Sequence, residues 1–182
     1  PADCVKLAIT VLLDEPPKLV VSGINLGGNL GICALYSGTV SAATEAMVMG
    51  VPSIAVSLDT YENPDFNPAA KFIHKLIPQL LEKGLPEGVV LNINVPPVPE
   101  SEFAGVAITR QGKSRVIEEF DCRKDPRGRT YYWLAGEMLF EETEEGADCV
   151  MIAKKYISIA PIHFDLTHYP SLDKLKDWKI EL

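Results

Sequence analysis

The segment Lys18-Leu-Val-Val-Ser-Gly-Ile-Asn25-Leu-Gly-Gly-Asn29-Leu-Gly31, followed by Leu35-Tyr-Ser-Gly-Thr39, constrains the fold most. A short apolar, β-branched run ends in a loop of glycine and asparagine, and a pair of small hydroxyl residues then opens a helix. Strand, glycine loop and helix in that order form half of a βαβ unit, with a buried parallel strand expected at Leu19–Val21. Such a loop frees backbone N–H groups to converge on an anion, and the helix dipole adds positive potential at the same point. Asn25 falls at the carboxyl end of the strand, where open α/β sheets bind ligands. The pattern reads as a phosphate site.

Alternation continues downstream. A helix is expected from about Gly38 to Met49, stopped by Gly50 and Pro52, and a strand at Ser53–Leu58. Asn67 is the expected cap of a helix over Pro68–Lys83, closed by Gly84, with Pro78 inside it and a kink expected there. Val89–Val95 is another strand, ended by Pro96-Pro97. Up to Val95 this alternation implies a mostly parallel sheet covered on both faces. Beyond Pro99 the texture changes to short β-like runs at Val106–Arg110, Tyr131–Leu134 and Tyr156–Ile162, separated by charged loops, with a short helix expected at Ser171–Trp178. Residues 1–98 are therefore read as an α/β core, and residues 99–182 as a β-rich extension of the same domain.

The chain opens Pro1-Ala-Asp-Cys-Val-Lys-Leu-Ala-Ile-Thr-Val-Leu-Leu13, with Val5, Ala8, Ile9, Leu12 and Leu13 at helical spacing. Pro1 suits the first position of a helix, but that helix lacks its own cap and a preceding strand. The expectation is a chain cut inside a βα unit.

The net charge of −8 argues against broad contact with nucleic-acid backbone, so no nucleic-acid polymer is expected as a partner. A small phosphorylated molecule can still bind where local dipoles or a metal outweigh the global field. No apolar run reaches ~18 residues without charge, so no membrane contact is expected. Cys4, Cys33, Cys122 and Cys149 are scattered, without zinc-ligand spacing, and read as reduced thiols of a cytoplasmic protein.

Three readings of the glycine loop stand side by side. It is not a Walker A loop, which needs Lys and Ser/Thr directly after its glycines. Gly27, Gly28 and Gly31 also miss the dinucleotide fingerprint, although Asp59, at the end of the next strand, imitates the acid that binds a ribose. The glycines can equally make only a tight crossover, and Asn25 can be only a turn former. His74 reads as a surface or packing residue, and His163 and His168 lack a patterned acid or nucleophile nearby. The carboxylate run Glu137–Glu145 reads as a solvated loop. In Asp125–Trp133, two arginines and three aromatics suit either a nucleotide contact or a structural β-corner.

Ser22-Gly-Ile-Asn25, Asn29-Leu-Gly31 and Tyr36-Ser-Gly-Thr-Val40 resemble the signature of the SurE family, metal-dependent 5′/3′-nucleotidases. Further pieces match in order: Pro1–Ala8, Pro52–Ser57, Asn92–Pro96, Asp125–Arg129 with Tyr131–Trp133, and Tyr156–Pro161. The resemblance thus covers nearly the whole chain. It implies a Rossmann-like α/β core with helices on both faces, and a phosphomonoesterase acting on nucleoside 5′- or 3′-monophosphates. By position, Asn25 matches the family's asparagine ligand to a divalent metal, and Asn29, Ser37, Gly38 and Thr39 match the groups that hold the substrate phosphate. The implied cofactor is one Mg²⁺ or Mn²⁺ per subunit, chemically reasonable beside an amide oxygen.

The family's other metal ligands, an adjacent Asp pair and a Ser, match nothing after Pro1. They are expected upstream, and these 182 residues alone are expected to turn over little. Ile32-Cys33-Ala34 also stands where relatives often carry acids. Nucleophile and general acid stay unassigned. The alternative is a non-catalytic nucleotide- or phosphate-binding protein of the same fold. A homodimer or tetramer joined through C-terminal segments is the expected assembly, consistent with the apolar trio Leu172, Leu175 and Trp178.

Overall fold

The computed structural model describes residues 1–139, 142–178 and 180. Seven strands form: β1 (Val20–Leu26), β2 (Ser53–Leu58), β3 (Val90–Val95), β4 (Gly105–Ile108), β5 (Arg115–Lys124), β6 (Thr130–Leu139) and β7 (Tyr156–Ile162). The helices are α1 (Ala2–Leu7), continued by a π-helical turn at Ala8–Leu12, α2 (Gly38–Val48), α3 (Asn67–Lys83), α4 (Asp148–Ala153) and α5 (Tyr169–Lys176). A five-stranded sheet has the order β1-β2-β3-β7-β4, while β5 and β6 pair only with each other. Three pairings in the main sheet are parallel and β3–β7 is antiparallel, giving the mostly parallel α/β sheet the alternation implies.

The two faces of the sheet differ in chemistry. Ile54, Val56 and Leu58 of β2 and Ile93 and Val95 of β3 pack on Ala69 and Ile73 of α3, with Phe72, Leu76 and Leu80 at the margin. This is an aliphatic layer with α3's apolar stripe facing inward. The opposite face is lined by smaller groups, with Ala55 and Val90 meeting Val40 and Ala43 of α2. Successive side chains of a strand alternate between faces, so Ser57, Asn92 and Asn94 lie on the α2 side. All three are buried. The sheet is thus apolar throughout on one face and turns polar toward the carboxyl ends of its strands on the other.

Several expectations change. The first strand is longer than Leu19–Val21 and forms an edge of the sheet, so it is half-exposed rather than buried. The first helix buries no residue, and its Leu12 and Leu13 are exposed. Asn67 does not cap α3. It is the first helical residue, and its N–H and Nδ2 both donate to the Asp65 carboxylate, at 3.0 and 2.7 Å. β5 and α4 appear where no regular element was expected, and β7 joins the core sheet against β3. The carboxylate run begins inside β6, residues 140 and 141 lie outside the described residues, and Glu142 and Glu144 both pair with Arg110.

Candidate functional site

Asn25, Asn29, Ser37, Gly38 and Thr39 come together with Ser22 and Pro1 around one open cleft of about 410 Å³. The cleft lies at the carboxyl end of β1, between the glycine loop and the start of α2. Its lining side chains carry no formal charge.

Asn25 reaches this position through a backbone that only glycine permits. Gly23 has φ +128°, and a Cβ there would run into the Val56 carbonyl of the neighbouring strand. The pairing of β1 with β2 shifts between Ser22 and Asn25, so that Asn25 stands opposite Ser57. Asn25 Nδ2 donates to the Leu26 and Gly27 carbonyls, at 3.1 and 2.8 Å. Both partners can only accept, which fixes the amide orientation and leaves Oδ1 as the group Asn25 offers. An oriented amide oxygen suits a hard divalent cation. It supplies one ligand of a shell of six or more, however. Among the described residues no group of three or more His, Cys, Asp or Glu is placed to hold a metal. The residues fit one corner of a metal site.

Ser37 is the N-cap of α2, its Oγ accepting from the Val40 N–H at 3.1 Å. The hydroxyl proton is thereby left to donate elsewhere. Gly38 and Thr39 open an eleven-residue helix, and the first N–H groups of a helix have no intrahelical acceptor. A hydroxyl, two backbone N–H groups and the positive end of the dipole therefore converge on the cleft, which is a neutral cradle for an anion.

Asn29 is held at its backbone N–H, its carbonyl and its Nδ2. Its N–H donates to Asn94 Oδ1 at 2.8 Å and its Nδ2 to Ser57 Oγ at 2.6 Å, while its carbonyl accepts from Asn92 Nδ2 at 2.8 Å. The rest of the loop is secured by two carboxylates that carry no motif. Asp59, just after β2, reaches across to the glycine loop and accepts the Gly28 N–H, and burial pushes its carboxyl above the ordinary 3.8. Asp148, fully buried at the start of α4, accepts from the Gly31 N–H at 2.9 Å, the Gly112 N–H at 2.9 Å and the Cys149 N–H at 2.8 Å. Burial raises its pKa as well, opposed by those three N–H groups. Gln111 Nε2 adds a bond to the Gly31 carbonyl at 2.7 Å.

The remaining candidates lie elsewhere. His74 and His168 are exposed, the latter bonded to Ser171 Oγ at 2.5 Å. His163, also exposed, accepts the Asp165 N–H at 3.2 Å. Asp125 accepts from the Arg127 and Arg129 N–H groups and pairs with the Arg129 guanidinium at 2.9 Å, closing the turn between β5 and β6.

Comparison with known proteins places these observations in one family. A sequence model of the family described as "Survival protein SurE" matches residues 1–118. The chain is 48% identical over 180 residues to "5′-nucleotidase SurE" of Syntrophobacter fumaroxidans, covering 99% of this chain and 72% of that protein. It is 52% identical over 180 residues to "5′-nucleotidase SurE" of Carboxydothermus hydrogenoformans, covering 98% of this chain and 68% of the relative. The crystal structure of the Sure protein from Aquifex aeolicus superposes with a TM-score of 0.83 at 41% identity, covering 99% of this chain and 73% of that one.

Proposed function

The chain belongs to the SurE family, and from that premise we propose a divalent-metal-dependent phosphomonoesterase that releases phosphate from nucleoside 5′- or 3′-monophosphates at the cleft beside α2. The protein is a nucleotidase, and hence a hydrolase, like its curated relatives. One observation supports the phosphate assignment above the rest. Six neutral hydrogen-bonding residues surround a single cleft at the positive end of α2, with no carboxylate in the lining to repel a dianion.

In this reading Asn25 Oδ1 is one ligand of Mg²⁺ or Mn²⁺, one ion per subunit. When bound, the metal lowers the pKa of coordinated water and withdraws charge from the phosphoryl oxygens. Ser37 Oγ–H and the Gly38 and Thr39 N–H groups donate to the phosphate, and Asn29 completes the cradle. The Ser37, Gly38 and Thr39 donors are held before substrate arrives, so little reorganisation accompanies charge development in the transition state. Neutral donors also release inorganic phosphate more readily than a cluster of cations would.

We further propose a homodimer or a tetramer built through the C-terminal segments. Leu172, Leu175 and Trp178 of the tail are all exposed in the single chain, as are Tyr132, Trp133 and Leu134 of β6. Such a display of large apolar groups favours burial against another subunit. Among the described residues no disulfide forms and no helix is long and apolar enough to cross a membrane, and the thiols support a reducing, cytoplasmic setting.

Steady-state phosphate release from nucleoside monophosphates, with metal stripped and with Mn²⁺ restored, tests the central reading. The native enzyme should lose turnover on stripping and regain it with Mn²⁺. Asn25→Ala should reduce turnover by on the order of 100-fold or more and weaken the metal dependence. Equal turnover with and without metal, or an Asn25→Ala enzyme at native activity, overturns the assignment.

A further inference from the structure

Asn25 and Asn29 are both asparagines of one loop, yet their amides are held by opposite kinds of partner. Asn25 Nδ2 faces two carbonyls, so only one orientation satisfies it. Asn29 faces the Ser57 hydroxyl, 2.6 Å away, and a hydroxyl can donate or accept. With Nδ2 on Ser57 Oγ, Asn29 offers an acceptor, Oδ1, to the cleft. With Ser57 Oγ–H donating to Oδ1, the amide turns over and offers Nδ2 as a donor.

The backbone of Asn29 has no comparable freedom. Asn94 clasps it twice, accepting its N–H at 2.8 Å and donating to its carbonyl at 3.4 Å, and Asn92 Nδ2 adds a second bond to that carbonyl at 2.8 Å. Ser57 and Asn94 are neighbours in register on adjacent strands, and Asn92 lies two residues before Asn94 on the same face. Ser57 and Asn94 are 0% exposed and Asn92 1%. Burying three polar side chains in a sheet that packs well with aliphatic residues on its other face is unfavourable unless they do something an aliphatic side chain cannot. All three converge on one residue, and that residue lines the cleft.

We infer that Ser57, Asn92 and Asn94 are positioning residues for the nucleotidase site: the two asparagines lock the Asn29 backbone, and the Ser57 hydroxyl sets which end of its amide meets the substrate. With phosphate in the cleft, Ser57 donates to Asn29 Oδ1 and Asn29 Nδ2 donates to a phosphoryl oxygen. The pair thus supplies a donor to an anion while the Asn29 amide oxygen keeps the Ser57 hydroxyl as its partner. This rests on the proposed role of Asn29 in the phosphate cradle.

A double-mutant cycle on the native, metal-loaded enzyme tests it, with the inhibition constant of inorganic phosphate and the kcat and KM of nucleoside monophosphate hydrolysis as readouts. Asn29→Ala should weaken phosphate inhibition by about tenfold to a hundredfold. Ser57→Ala should weaken it to a similar degree with the thermal midpoint close to native, and the double variant should be no worse than Asn29→Ala alone. If the alanine variant loses its fold, Ser57→Cys, of similar volume with a weakly bonding thiol, takes its place in the cycle. A Ser57 variant with native phosphate inhibition, or effects that add in full, overturns the positioning role while leaving the phosphate reading of Asn29 intact. Native inhibition in Asn29→Ala instead removes the reading beneath it, and the inference falls with it.

Discussion

The glycine loop over Gly27–Gly31 and the ribbon of β5 and β6 both stand outside regular sheet-and-helix packing, and they are held in opposite ways. The loop is tied by buried groups far away in the chain: Ser57, Asn92 and Asn94 on the sheet, and Asp148 at the start of α4. The ribbon's side-chain bonds are local and exposed, such as Arg123 with Asp121 at 2.7 Å and Arg129 with Asp125 at 2.9 Å, with the Arg123 guanidinium 5.5 Å from the Trp133 ring centre. Exposed pairs of this kind add little stability. Such over-determination suits the proposed phosphate cradle, whose groups would be in place before the ligand arrives. The ribbon presents Phe120, Tyr132 and Trp133 to solvent, which suits a surface that meets another protein.

That contrast breaks first if turnover does not separate the two regions. Ser37→Ala removes a preorganised donor and should lower kcat/KM by on the order of 10- to 1,000-fold. Trp133→Ala should leave kcat/KM near native, as steady-state kinetics on the two purified variants can show. Assembly should respond in the reverse sense. Truncation before Ser171 should reduce the particle mass measured by light scattering toward that of a monomer. A compact monomer in both the native and the truncated protein rejects the oligomer.

Glycines sharpen the comparison through stability. At Gly23 a Cβ meets the Val56 carbonyl and φ is +128°, so Gly23→Ala should destabilise by about 1–3 kcal/mol in urea titration. At Gly128, in the ribbon turn, φ is also positive but nothing lies near an added Cβ. Gly128→Ala should therefore lose about 1 kcal/mol, from backbone conformation alone.

The smallest expected effect concerns pH. Burial lifts the Asp148 pKa above its unfolded value, so on acidification the folded state takes up this proton first. The stability linked to this group is full below the unfolded value of 3.8 and is lost as pH rises through the folded value. Asparagine does not titrate. The stability deficit of Asp148→Asn relative to native should therefore be larger in acid than at neutral pH, as urea midpoints across a pH series can measure.

Much of the fold is legible in the sequence because its signals are local. Gly50 and Pro52 mark the end of α2, and Ser53–Leu58 and Tyr156–Ile162 are apolar runs of strand length that coincide with β2 and β7. β5 leaves no strand signal in the sequence because Arg115–Lys124 places charged residues at both alternate positions, and a ribbon outside the main sheet needs no apolar face. The edge position of β1 is likewise a property of the sheet, which no single segment encodes. In the candidate site, the residues that line the cleft follow the glycine loop in sequence and announce themselves. Those that hold it do not. Ser57, Asn92 and Asn94 lie in segments that resemble the family but carry no role there, Asp148 lies outside those segments, and all four acquire a role only when the chain brings them against Asn29 and Gly31. An asparagine two residues from another inside a β-branched strand was the one available signal.

The most direct measurement is the inhibition constant of inorganic phosphate against nucleoside monophosphate hydrolysis in the native enzyme, Ser37→Ala and Trp133→Ala. The expected result is an inhibition constant raised about tenfold or more by Ser37→Ala and unchanged by Trp133→Ala, because the proposed phosphate position is the start of α2 and not the ribbon. A folded Ser37→Ala enzyme that binds phosphate as tightly as the native one contradicts the placement of the phosphate in this cleft.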